Sequence, residues 1–221
     1  MIRGVVVTIL LFVTLGANER VSIDGGEYLV PDSDAFYAKD GFSFVVKDFQ
    51  IDRYEVSNER YGKKNIEEDE LSYPVVGLGY EDALKFCKKE GGTLPTSEQW
   101  MAAASFEKGV FFPFATKVYP IFDENDLNVV QERASELEVE GFGAFSDLVE
   151  VQEALVGNND IVGMLGNVWE ITLGDERFVT LKGGSFYNVE SRELLRNKVQ
   201  NKVLKSTLKQ YEHIGFRCVY Q

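Results

Sequence analysis

Gly163-Met164-Leu165-Gly166-Asn167-Val168-Trp169-Glu170-Ile171-Thr172 is the stretch on which the reading of this chain turns. Its glycines at 163 and 166 mark backbone that bends sharply or is approached closely, because glycine reaches positive φ without a Cβ penalty. A tryptophan and a carboxylate follow at once, so a turn runs into a strand. If Glu170 is buried beside Trp169 it needs a partner, since an unpaired buried charge is costly. The alternative is a core Trp169 next to a solvated Glu170.

Working outward, other blocks stand in a fixed order around this one. They are Phe49-Gln50-Ile51-Asp52-Arg53-Tyr54-Glu55-Val56-Ser57-Asn58, Gly92-Thr93-Leu94-Pro95-Thr96-Ser97-Glu98-Gln99-Trp100, Lys182-Gly183-Gly184-Ser185-Phe186 and Gly215-Phe216-Arg217-Cys218. Together, from about residue 23 to the end, they resemble the formylglycine-generating-enzyme (sulfatase-modifying factor) domain family. The resemblance implies an α+β, C-type-lectin-like fold with short twisted antiparallel sheets, two main helices and much irregular loop.

Local signals agree with that outline. Ile23 to Val30 is similar to the family's opening strand, and Pro31-Asp32-Ser33-Asp34 after it has turn composition. Phe42 to Val46, Phe49, Ile51 and Tyr54 to Val56 carry strand-type enrichment. Ser57 is placed to cap a short helix over Asn58 to Tyr61. Lys63 to Glu70 reads as a solvated connector. Ala83, Leu84, Phe86 and Cys87 lie at helical spacing within Glu81 to Glu90, and Gly91-Gly92 stops that helix. Thr96-Ser97-Glu98-Gln99 is a capping box for a second helix through Trp100, Ala103 and Ala104. Phe111 to Gly157 is irregular, with Phe112-Pro113-Phe114-Ala115 inside it and an undecided acidic run, Glu132 to Glu140. A strand is expected at Arg177 to Leu181 and a last one at Gly215 to Tyr220.

The chain has 221 residues, 44% of them hydrophobic and 13% aromatic, enough for one domain with a real core. A formal charge of −13 argues against nonspecific nucleic-acid binding, which needs clustered cations to displace counterions. Arg3 followed by the apolar run Val5 to Leu15 and then Gly16-Ala17 reads as an export signal over residues 1–17, leaving one domain over 18–221. The run is well short of the roughly 20 apolar residues of a spanning helix. Export to the periplasm or the cell surface follows as an expectation, with membrane attachment only if the segment stays as an uncleaved anchor.

The chain carries two cysteines, Cys87 and Cys218. An even count in an exported protein reads as a disulfide, with two free thiols as the alternative. The resemblance implies the bridge, because family members with cysteines at the matching helix and final strand pair them.

The family's oxidase members convert a substrate cysteine to formylglycine with copper held by two cysteines shortly after Gly-Gly-Ser. The matching positions here are Asn188 and Glu193, neither of them a soft ligand suited to Cu(I), so no copper is expected. Ser185 completes the groove candidates, and its other reading is a turn serine bonded to backbone. His213 is the one histidine and reads as a surface or strand-entry residue.

Calcium suits oxygen ligands better than copper suits this inventory. By resemblance, one site would use Asn128, Val129, Glu140 and Phe142, with Glu140 in place of the family's Asp. A second would use the Gly166 and Val168 carbonyls with the Glu170 carboxylate, though Gly163 stands where the family places Asn or Asp. Arg217 is expected to anchor the fold through a buried carboxylate or backbone carbonyls. The run from Arg192 to Lys209 reads as a solvated cationic face or a docking strip for an acidic partner. The expectation that follows is a non-catalytic, exported scaffold that binds an envelope protein or peptide. The alternative is an enzyme of the same family with altered chemistry near Ser185, Asn188 and Glu193.

Overall fold

In the computed structural model, residues 19–30, 42–105, 148–154, 156, 158–164, 166–186 and 200–221 are described. The signal at 1–17, Asn128, Val129, Glu140, Phe142, Asn188 and Glu193 therefore lie outside the described residues, as do Pro31 to Asp34 and Phe112 to Ala115.

Nine strands and three α-helices are described. The strands are β1 (Arg20–Ile23), β2 (Gly26–Val30), β3 (Phe42–Val46), β4 (Phe49–Asp52), β5 (Trp169–Ile171), β6 (Phe178–Lys182), β7 (Gln200–Leu204), β8 (Ile214–Gly215) and β9 (Val219–Tyr220). The helices are α1 (Asn58–Tyr61), α2 (Tyr80–Lys89) and α3 (Ser97–Ala104), with short 3-10 turns such as Lys205–Gln210. Three sheets result, ordered β1-β4-β9, β2-β3 and β7-β6-β5-β8. All pairings between these strands are antiparallel except β5 with β8.

The helices form where their end signals stand. Ser57 Oγ accepts from Arg60 N–H at 3.2 Å, and Gly62 closes α1 in the left-handed region at φ 77°. Both halves of the capping box on α3 are present: Gln99 N–H donates to Thr96 Oγ1 at 3.1 Å and Thr96 N–H to Gln99 Oε1 at 3.0 Å. Ala102, Ala103 and Ala104 are buried, so this helix is packed on several sides rather than on one stripe. Small side chains make that close approach affordable.

Two expectations are corrected. The opening stretch is two strands in different sheets, because the chain breaks at Asp24-Gly25, where Gly25 N–H donates to Asp48 Oδ1 at 2.6 Å. A Cβ on Gly25 would meet the Asp48 backbone nitrogen at 2.7 Å, so only glycine fits there. The last stretch is likewise divided: β8 joins β5, while β9 joins β4. Phe216, Arg217 and Cys218 cross between the two sheets, and all three are buried.

Two buried clusters fill the molecule. One gathers Phe86, Cys87, Trp169, Ile171 and Phe216 between α2 and the four-stranded sheet; the other gathers Ile23, Phe49, Ile51, Trp100 and Met101 around α3. The disulfide Cys87–Cys218, at 0% exposure for both residues, ties α2 to the crossing segment inside the first cluster.

Candidate functional site

The turn at Gly163 to Val168 lies where the two clusters meet. Gly163 and Gly166 both take φ 74°, and Asn167 takes φ 55°, so the bend uses left-handed backbone in close succession. Asn167 is fully buried and connects several segments. Its Nδ2 donates to Glu55 Oε2 at 2.6 Å, its Oδ1 accepts from Val149 N–H at 3.1 Å, and its carbonyl accepts from Phe186 N–H at 3.0 Å. Gly166 N–H donates to the Gly183 carbonyl at 2.9 Å. The Gly183 to Phe186 segment, with its candidate Ser185, is thereby docked on the turn. Ser185 is fully buried.

Glu170 follows in β5 and is not solvated: it is 0% exposed. Arg217 donates to it twice, Nε to Oε2 and Nη2 to Oε1, each at 2.7 Å, and Trp100 Nε1 donates to Oε2 at 2.8 Å. The remaining Arg217 donors reach the carbonyls of Asp52 and Arg53 at 3.2 Å and of Val162 at 2.8 Å. Every N–H of the guanidinium therefore has an oxygen. Burial lowers the guanidinium's affinity for its proton, yet Glu170, Glu55 and Asp52 raise it further, so the charge is fixed. The expected anchoring through a carboxylate or carbonyls is met by both at once.

Glu55, three residues after β4, belongs to this site, although nothing in its local sequence marks it as a site residue. It is 2% exposed and its Oε1 accepts no hydrogen bond from the described residues. Burial, then the neighbouring Glu170, push its carboxyl well above its ordinary value, while Arg217, Asn167 and the Val168 N–H pull the other way. A folded-state value above the unfolded one means that ionisation opposes the fold. No penalty applies below the unfolded value near 4.5, and stability is lost as pH rises through the folded value. Glu55→Gln is expected to flatten that falling limb. Tm measured from about pH 5 to about pH 8 checks it, and parallel curves for the two proteins would refute it.

Lys182, at the end of β6 before Gly183, is 2% exposed, and burial pushes its amine down to about 8. His213 is half-buried and its carbonyl accepts from Trp169 N–H at 2.9 Å, so it lies at a strand entry. Among the lysines of the cationic run, Lys202 pairs with Asp175 at 3.4 Å, Lys209 with Asp82 at 2.8 Å, and Lys205 lies 3.7 Å from the Tyr80 ring centre. These cations are turned to acids and a ring of the chain itself.

For calcium, the second expected donor set does not fit as it stands. Both Glu170 oxygens are taken by Arg217 and Trp100. Position 163 offers no side chain, and a Cβ there would lie 3.1 Å from Glu55 Oε2. Cys87 and Cys218, the chain's whole complement of sulfur nucleophiles, are bonded to each other.

The model of the sulfatase-modifying factor enzyme 1-like domain matches residues 13–221. The chain belongs to that family. It is 28% identical to the inactive C-alpha-formylglycine-generating enzyme 2 of Bos taurus over 161 residues, covering 68% of this chain and 51% of the relative. It is 25% identical to the uncharacterized protein YfmG of Bacillus subtilis, over 53% of this chain and 30% of that one. The chain thus spans about half the length, or less, of the curated relatives it matches. Among solved structures, CarF aligns over 92% of this chain and 98% of its own, at TM-score 0.58 and 17% identity. PvdO from Pseudomonas aeruginosa aligns over 90% and 93%, at TM-score 0.60 and 15% identity. At such identity these structures speak for the fold alone, and they agree with the mixed α and β architecture of short sheets described above.

Proposed function

We propose that this member of the sulfatase-modifying factor family is a non-catalytic scaffold, exported to the periplasm or cell surface, that binds a protein or peptide of the envelope. The observation that carries it is the pairing of Cys87 with Cys218, which spends the chain's only two thiols on the framework. Formylglycine formation by a copper dithiolate has no ligands left to use. The Bos taurus relative bears the word inactive in its name, which supports the same direction. The turns and loops carried on the rigid, doubly clustered core are the surfaces free to vary toward a partner. Incubating the purified chain with a Cys-x-Pro-x-Arg peptide, copper and oxygen is expected to yield no formylglycine by mass spectrometry. Its appearance would overturn the non-catalytic reading.

A second reading is favoured by Lys182. An amine with a pKa of about 8, directly before Gly183-Gly184-Ser185, gives up its proton more readily than an ordinary lysine, as suits a base or nucleophile. This supports an enzyme of altered chemistry acting near Ser185, Asn188 and Glu193. We further propose calcium at Asn128, Val129, Glu140 and Phe142. Calcium is then expected to raise Tm over that in a chelator, and Glu140→Gln to abolish the difference; equal Tm values in both buffers would remove the proposal.

A further inference from the structure

We infer that Arg217 is the resident cation of the Gly163 to Glu170 turn: its guanidinium fills an oxygen cage of the kind that holds a hard metal ion, so this turn keeps its shape without calcium. The cage consists of both Glu170 carboxylate oxygens and the carbonyls of Asp52, Arg53 and Val162, all between 2.7 and 3.2 Å from guanidinium nitrogens. Carboxylate mixed with backbone carbonyl is the donor chemistry of calcium. What selects a guanidinium here is direction: its planar fork sends two parallel N–H groups to one carboxylate and the rest outward to carbonyls, which a spherical ion cannot distinguish.

The surroundings close the site to a second cation. Trp100 Nε1 takes a remaining lone pair of Glu170 at 2.8 Å. The Glu55 carboxylate lies against Gly163, where a side chain from the turn would have to pass. A divalent ion at Glu170 would also sit beside a fixed positive charge in a medium that screens poorly. Val162 and Glu170, which bracket the turn, are therefore tied to each other and to Asp52 and Arg53 by one side chain that arrives from the crossing segment between β8 and β9. This inference concerns only that turn and is independent of the calcium proposed at Asn128 and Glu140.

The test must therefore read the turn locally. Trp100 is one of two tryptophans, and its indole N–H points at Glu170, so its resonance reports that carboxylate directly. Titrating the full chain with calcium chloride is expected to leave this resonance in place. A saturable shift of the resonance would overturn the inference. In Arg217→Ala the emptied cage is expected to respond to low, non-denaturing guanidinium with a rise in Tm that the wild-type chain does not show. A folded Arg217→Ala that guanidinium does not stabilise would also overturn it. If that variant does not fold, the titration of the wild-type chain decides alone.

Discussion

Glu170→Gln is expected to lower the free energy of unfolding by about 3–5 kcal/mol, the cost of leaving one partner of a buried ion pair without its counter-charge. The substitution keeps the volume of the side chain and removes only the charge. Arg217 remains at 0% exposure, with its Nε and one Nη2 proton facing a neutral amide that cannot accept both as the carboxylate does. Trp100 loses a charged acceptor in the same step. Since Trp100 belongs to the cluster around α3 while Trp169 and Ile171 flank Glu170 in the other, the damage reaches both halves of the core. Denaturant titration followed by tryptophan fluorescence measures the effect. Asp82→Asn is the control, because the Lys209–Asp82 pair is exposed and solvent screens it. A Glu170→Gln midpoint within error of the wild type would show that the pair contributes nothing.

Removing the disulfide is expected to cost as much by a different route. Cys87 and Cys218 are 131 residues apart, and in the chain-entropy model a loop of that length contributes about 5 kcal/mol by restricting the unfolded chain. For a domain of this size that corresponds to a fall in Tm of roughly 10–20 °C on full reduction or in Cys87→Ala/Cys218→Ala. The native side adds to it, since Cys218 N–H donates to Asp52 Oδ2 at 2.8 Å and Asp52 in turn binds Arg60 at 2.9 Å and Tyr220 at 3.0 Å. Loosening Cys218 therefore loosens the residue next to Arg217. Calorimetry with and without reductant checks the size, and an unchanged Tm in the fully reduced protein would refute it.

The ends of elements were legible because their causes are local. Ser57, Thr96 with Gln99, and Gly91-Gly92 act on backbone groups within a few residues, so α1, α2 and α3 stand where their caps place them. Strand continuity was less legible. Nothing within Ile23 to Val30, or within Gly215 to Tyr220, announces that the chain changes sheets, because the partners that decide it, β4 and β3 for the first and β5 and β4 for the second, lie outside the stretch itself. The two readings of Glu170 show the same limit: solvated or paired depended on whether Arg217, 47 positions later, reached it.

By itself the sequence determined the family, the α+β class, the capped helices and the absence of thiolates at Asn188 and Glu193, since each is a matter of which residues stand at which spacing. The Cys87–Cys218 bridge that the resemblance implies is present, while only the tertiary structure decided that Arg217 draws Glu170 and three carbonyls around one charge, and that Glu55 lies buried against Gly163. Those are meetings between distant segments, and their energies come from burial, which has no meaning until the chain has closed around them.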